Sequence, residues 1–274
     1  MKINLHTHSK FSLDGELEVQ ELIDYMKKNN YNIISITDHD TCDAYKYIED
    51  DSNIQIITGM EADAIVNNHT YDFLCYDFDL DEVMTYAANR YETVEKRQQK
   101  IFNALVEQCQ NNNIVLNNIT SYQPQKEYAH AAIYRMLNQG FLNQYHITSV
   151  SDLYRLSTID NTFPLYIDMH IVWPDLMELR EIIHHNYGYV FLAHPYRYNR
   201  DVKEVLDEVK DYIDGIEICN NPQNRREVEY LYEYAKENNL IVSCGSDFHG
   251  NSHYNLDCDY LTEDMIDDIL SWAE

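Results

Sequence analysis

The sequence predicts an α/β fold, a barrel whose functional site sits at one rim. Two observations carry this expectation. Short apolar runs alternate with segments of helical periodicity, the pattern of βαβ units and a parallel sheet. Four of those runs end in clustered histidine and acid. Ile3-Asn4-Leu5 precedes His6-Thr7-His8, and Ile33 to Thr37 precedes Asp38-His39-Asp40. Val190 to Ala193 precedes His194-Pro195, and Leu240 to Gly245 precedes Ser246-Asp247-Phe248-His249. Metal-binding side chains at the ends of several strands place the site at one rim.

The elements follow in order. Ile3 to Leu5 is a strand, and Asp14-Gly15 makes a turn that opens a helix with apolar positions Val19, Leu22, Ile23 and Met26. Asn29-Asn30 stop that helix. Ile33 to Ile36, Ile54 to Ile57 and Tyr71 to Tyr76 are the next strands. Residues 82–160 break the rhythm and read as a helical insertion. It contains a long polar helix over Val83 to Cys109, a helix from Glu127 to Asn138 closed by Gly140, and a polar stretch over 147–161. The alternation returns at Pro174, which begins a helix carrying Leu176, Leu179, Ile182 and Ile183. Strands over 189–193, 215–219 and 240–244 then alternate with helices over 201–212, 223–238 and 262–272. No repeat or low-complexity linker interrupts the chain, so one domain spanning 1–274 is expected.

Composition narrows the function classes. The 274 residues carry 47 acids against 20 lysines and arginines, a formal net charge of −27. Such a surface repels polyanions, so long nucleic acid is not an expected partner. A small phosphorylated substrate remains compatible, because two or three divalent ions bring roughly four to six positive charges to one spot. No apolar run reaches the roughly 18 residues of a membrane helix, and no signal peptide is recognisable. The six cysteines form no CxxC pair. Reduced thiols and a cytoplasmic location are therefore expected. Oligomeric state is not legible.

Imidazole and carboxylate together suit Zn, Mn or Fe. Alternation along a strand puts His6 and His8 on one face. Asp14, taken by itself, reads first as a helix cap or turn residue, with metal ligation as the alternative. His39 is flanked by two acids able to fix its tautomer. Glu61 ends the run from Ile54 and has the chemistry to bridge two ions. His194 closes a strongly apolar strand, where burial favours the neutral, ligating imidazole. Asp247 and His249 lie two residues apart between Gly245 and Gly250, which permit close backbone approach.

In this order, HTHSKFSLDG, ITDHD, GMEAD, AHP and GSDFHG resemble the polymerase and histidinol phosphatase (PHP) superfamily, from Ile3 to Gly250. The resemblance implies a distorted (β/α)7 TIM-like barrel holding up to three divalent ions. It implies His6, His8 and Asp247 at a first ion, Glu61 bridging to a second that His194 serves, and Asp14, His39 and His249 at a third. Asp72 stands where the family often has a histidine, and aspartate is a harder ligand. The helical block resembles that of the small phosphoesterase branch, with His130 and Arg135 as its counterparts.

The expected chemistry is hydrolysis of a small phosphate monoester, of the histidinol phosphate or nucleoside bisphosphate type, by a metal-bridging hydroxide. Glu61 is then catalytic as well as ligating. Arg197 and Arg135 hold the phosphate, and Asp40 or His130 protonates the leaving group. Alternatives are amidohydrolase-type C–N or ester hydrolysis and exonuclease action on short oligonucleotides.

Overall fold

The computed structural model describes residues 1–12, 14–49, 53–198, 200–220, 223–250 and 260–273. The described residues form eight strands: β1 (Ile3–Asn4), β2 (Ile33–Ser35), β3 (Gln55–Ile57), β4 (Gly59–Val66), β5 (His69–Tyr76), β6 (Tyr189–Leu192), β7 (Gly215–Cys219) and β8 (Ile241–Cys244). The helices are α1 (Val19–Lys28), α2 (Leu80–Arg90), α3 (Val94–Asn111), α4 (Ala129–Met136), α5 (Gln139–Gln144), α6 (Val150–Ile159), α7 (Leu176–His185), α8 (Val202–Val209), α9 (Arg225–Glu237) and α10 (Glu263–Ala273). The fold is mixed α/β.

The strands form two sheets, β1-β2-β3 and β4-β5-β6-β7-β8, rather than the closed barrel expected. Two local departures from a closed parallel barrel are visible. β5 runs antiparallel to β6, so the five-stranded sheet is mixed. β1 is short, and the Asn4 side chain within it accepts the Ser246 N–H at 2.9 Å. The sheets still meet through Leu5 N–H to the Cys244 carbonyl (2.9 Å) and bridges pairing Thr7 with Phe248 and His39 with Glu61.

The chain divides into two compact units, the first comprising Met1–Val66, Tyr71–Asn89 and Asp175–Glu274 and the second Asn67–Thr70 and Arg90–Pro174. In the first, Val19, Leu22, Ile23 and Met26 of α1 pack with Ile34, Ile36 and Phe248 in one buried cluster. Burying each such side chain stabilises by about 1.5–3 kcal/mol. Phe248 stacks on Tyr25 with ring centroids 5.1 Å apart. That contact pins the loop carrying Asp247 and His249.

The second unit is helical. The single helix expected over Val83 to Cys109 is two: α2, which apart from Arg90 lies in the first unit, and α3 in the second, with Thr93 non-helical at the break (φ −56°, ψ 151°). The polar stretch expected over 147–161 contains α6, opened by a capping box in which Ser149 and Asp152 bond each other's backbone. Gly140 does not close a helix but lies inside α5. Within this unit the Arg97 guanidinium lies 4.2 Å above the Trp173 ring. Five of the six cysteines are free and buried; Cys258 lies outside the described residues. No described helix is long and apolar enough to cross a membrane.

Candidate metal centre

His6 and His8 follow β1, and the Thr7 between them turns away to donate its hydroxyl to the Ser35 carbonyl at 2.7 Å. Alternation thus sends both imidazoles to one side. The loop after β8 closes over them. Gly245 is needed there, because a Cβ on it would fall 2.1 Å from the His6 Cβ. Asp247 and His194 adopt left-handed backbone at φ 54° and 29°, a cost that surrounding contacts must offset.

Two neighbouring acids fix the imidazole tautomers. Glu217 of β7, wholly buried, accepts from His6 Nδ1 at 2.9 Å. Ser12 donates its hydroxyl to Asp38 at 2.9 Å and so accepts from His8 Nδ1 at 2.8 Å. A carboxylate has no proton to give and a hydroxyl has only one, so both histidines carry hydrogen on Nδ1 and aim Nε2 inward. Asp38 also takes the N–H and hydroxyl of Ser9, each at 2.7 Å. It therefore shapes the loop rather than the His39 tautomer.

Around those Nε2 atoms the donors crowd. His6 and His8 Nε2 are 3.1 Å apart, and each is 3.2 Å from Glu61 Oε2. Asp247 Oδ1 lies 3.2 Å from the first and 3.1 Å from the second. Donors bound at about 2.1 Å to one octahedral or tetrahedral ion stand roughly 3.0–3.4 Å apart. Glu61 Oε2 is also 3.2 Å from His39 Nδ1, so one carboxylate oxygen faces three imidazole nitrogens. That is the geometry of ligands facing a shared cation, and a divalent ion fits it.

Two further groups adjoin this one. Glu61, Asp72 and His194 bring ligand atoms within 4.8 Å of one another, as do His8, His39 and His249. Glu61 Oε1 lies 2.9 Å from His194 Nε2, and Asp72 Oδ2 is 3.6 Å from the same nitrogen. Tyr198 holds the Asp72 backbone, its hydroxyl accepting the N–H at 3.2 Å. Asp14 stands 3.8 Å from His39 Nε2 and 3.4 Å from His249 Nε2. The His8 and His249 rings stack at 3.9 Å. Asp14, His39, Glu61, Asp72, His194, Arg197, Tyr198, Asp247 and His249 line a cavity of about 310 Å³.

The electrostatics call for positive charge. Burial pushes the His6 pKa down, but Glu61, Glu217 and Asp247 outweigh it and leave it well above the usual value. Burial likewise opposes protonation of His8, yet its bonds to Asp247 and Glu61 raise it to about 9. Burial would raise Glu61 and Asp247, but the imidazoles hold both well below the carboxylate range. The carboxylates thus draw in either protons or a metal ion.

The remaining predicted residues sit differently. Arg197 reaches the cavity, with Nη1 on Asp247 Oδ2 and Nη2 donating to Asn220 Oδ1 at 2.7 Å. Asp40 accepts the Asp63 N–H at 3.0 Å and so braces β4 beside Glu61; it is not among the lining residues. His130 is buried in the second unit, 3.0 Å from the Ser157 hydroxyl, and burial drives its pKa down to about 4. Arg135, in the same unit, is paired with Glu127 at 2.6 Å. Glu217, Ser12 and Tyr198 did not emerge from the sequence. Only Glu217 left a signal there, as a lone acid inside the apolar run Gly215–Cys219.

The chain is 27% identical over 263 residues to a 5'-3' exoribonuclease of Haemophilus influenzae, covering 90% of each. It is 24% identical to the 5'-3' exoribonuclease Rnm of Escherichia coli, covering 90% of this chain and 84% of that one. Among solved structures, a candidate metal-dependent phosphoesterase from Bifidobacterium adolescentis superposes with a TM-score of 0.59 at 20% identity, covering 100% of this chain and 97% of the other. An amidohydrolase from Chromobacterium violaceum, solved with sulfate and no metal, gives 0.60 at 19% identity over 93% and 91%. At those identities the structural likeness speaks for the fold alone. Residues 4–257 match the family described as PHP domain. A match over that much of the sequence shows that the chain belongs to the PHP domain family, and it is accordingly a hydrolase, a metal-dependent phosphoesterase.

Proposed function

We propose that the protein hydrolyses phosphate esters of nucleotide-sized substrates, with the 5′ end of a short single-stranded RNA as the leading case. Two or three divalent ions of the Mn, Zn or Fe type would be held by His6, His8, Glu61 and Asp247, by Glu61, Asp72 and His194, and by His8, His39 and His249 with Asp14 beside them. The observation that carries the reading is the sharing of Glu61 and His8 between adjacent donor groups along one cavity. Bound there, such ions supply Lewis acidity toward phosphoryl oxygens and make water a nucleophile near neutral pH.

The chain's own residues do the rest. Arg197, at the cavity wall, offers a planar fork that matches phosphate. Glu61 and Asp247, kept ionised, hold the cations. A cavity of about 310 Å³ is at the small end of ligand pockets and suits one terminal group rather than a duplex. With a net charge of −27, short strands are the nucleic acids least repelled. The nearby relatives named as exoribonucleases, matched over 90% of this chain, support the RNA case. We take the second unit as an insertion into the catalytic one.

The same acidity supports a second reading, a free nucleoside bisphosphate as phosphomonoester substrate. C–N hydrolysis is disfavoured, because the bridging position is Glu61 and no lysine lines the cavity among the described residues. Manganese-loaded protein should be given a 5′-phosphorylated RNA tetramer and a nucleoside 3′,5′-bisphosphate, with products separated by chromatography. Mononucleotides from the tetramer support the leading case, and inorganic phosphate from the bisphosphate supports the second. Turnover of neither would overturn both.

A further inference from the structure

Below the donor groups lies a buried carboxylate that touches two of them at once. Glu217 Oε1 is 2.9 Å from His6 Nδ1, while Oε2 accepts the His194 backbone N–H at 2.8 Å and the Asn220 side-chain amide at 3.2 Å. We infer that Glu217 is a positioning residue that couples the His6 and His194 metal sites, setting the donor nitrogen of one and the backbone turn of the other.

The chemistry is specific to a carboxylate. Glu217 faces three hydrogen-bond donors, and both its oxygens accept. With Oε1 committed, His6 carries its hydrogen on Nδ1 and keeps Nε2 for the centre. With Oε2 committed, the His194 amide is satisfied although the residue sits at φ 29°, outside the helical and extended regions. That turn delivers the His194 side chain to Glu61 at 2.9 Å. Asn220 ties the same carboxylate to Arg197, which donates to Asn220 Oδ1 at 2.7 Å. Glu61 therefore bridges the two sites from the cavity side and Glu217 from the core side. A glutamine in place of Glu217 has one acceptor oxygen only. Either the His6 side or the His194 side would then meet an N–H, and a His6 ring that answers by moving its hydrogen to Nε2 loses its inward lone pair.

This inference rests on the metal centre proposed above, and calorimetric titration of the full chain with Zn²⁺ separates the two. Wild-type protein that binds no Zn²⁺ would remove the centre itself. With wild-type binding established, E217Q should retain its circular dichroism and bind Zn²⁺ about 10–100-fold more weakly, with the loss spread over more than one site. Folded E217Q with wild-type affinity and stoichiometry would overturn the inference. Should E217Q fail to fold even with Zn²⁺ present, N220A decides. It removes one bond to Glu217 and should weaken Zn²⁺ binding about threefold or more, whereas unchanged affinity would refute the coupling.

Discussion

The Nε2 atoms of His6 and His8 face each other at 3.1 Å, and each ring has its Nδ1 engaged as a donor to a neighbouring residue. Two inward lone pairs at that distance repel unless positive charge lies between them. Glu61 and Asp247 close the same space with oxygens 3.1–3.2 Å away. Local strain, burial and buried charge are all arranged around that one point.

Metal affinity should rise with pH. His8 must lose a proton held up to about 9, and His6 one held well above its ordinary value, before either nitrogen ligates. Titrations at pH 6 and pH 8 in buffers of different ionisation enthalpy should show tighter binding at pH 8 and proton release at both.

The metal-free protein should show the opposite trend in stability on the alkaline side. His8, raised from 6.5 to about 9, contributes fully below pH 6.5 and loses that contribution as pH climbs through 9. Glu61 and Asp247, both lowered, contribute fully above about pH 4.5 and lose it as pH falls. Buried His130, lowered to about 4, costs stability as pH falls below 6.5, so melting of chelator-treated protein should be highest near pH 6.5. Saturating metal should remove the alkaline decline.

Gly245→Ala should destabilise the protein and loosen the centre together. The added methyl would sit 2.1 Å from the His6 Cβ and 2.5 Å from its backbone nitrogen, so the chain must shift. A loss of about 1–3 kcal/mol in urea unfolding is expected, with weaker metal binding. An unchanged midpoint would mean the loop does not approach His6 this closely.

Arg197→Ala should cut kcat/KM by about 10–100-fold with metal saturating, the loss of a charged hydrogen bond to phosphate. Arg197→Lys should recover little, since lysine lacks the planar fork. Recovery by lysine would assign Arg197 a role of charge alone.

Asp72→His should shift metal preference from Mn²⁺ toward Zn²⁺, because imidazole is the softer ligand at a site shared with Glu61 and His194. Competitive binding with both ions measures this directly.

Much of this was legible in the sequence, for physical reasons. Apolar runs ending in histidine and acid announced β1, β2, β6 and β8 and the residues that follow them, because strand ends are where buried backbone yields to polar side chains. Phe248 between Asp247 and His249 is the same logic in miniature, core-facing between two site-facing neighbours. Other features depend on contacts remote in sequence. Glu217 meets His6 across 211 residues, and Ser12 gains its role only because Asp38 takes its hydrogen. The antiparallel β5–β6 pairing and the division of the strands into two sheets are set by contacts that periodicity does not encode. The α6 capping box, Ser149 with Asp152, is written in the sequence, yet the polar composition around it gives no helical stripe and the segment reads as a polar stretch. His130 and Arg135, drawn from the resemblance, bond to Ser157 and Glu127 within the second unit.

The most direct test is the metal content of native protein, by elemental analysis together with an anomalous scattering map, set beside the same measurements on a His6→Ala, His8→Ala double variant. Two or three dications between Glu61, Asp247 and the imidazoles, absent from the variant along with phosphoester hydrolysis, are the expected result. An empty pocket in metal-replete native crystals, or hydrolysis that survives in the double variant, would contradict it.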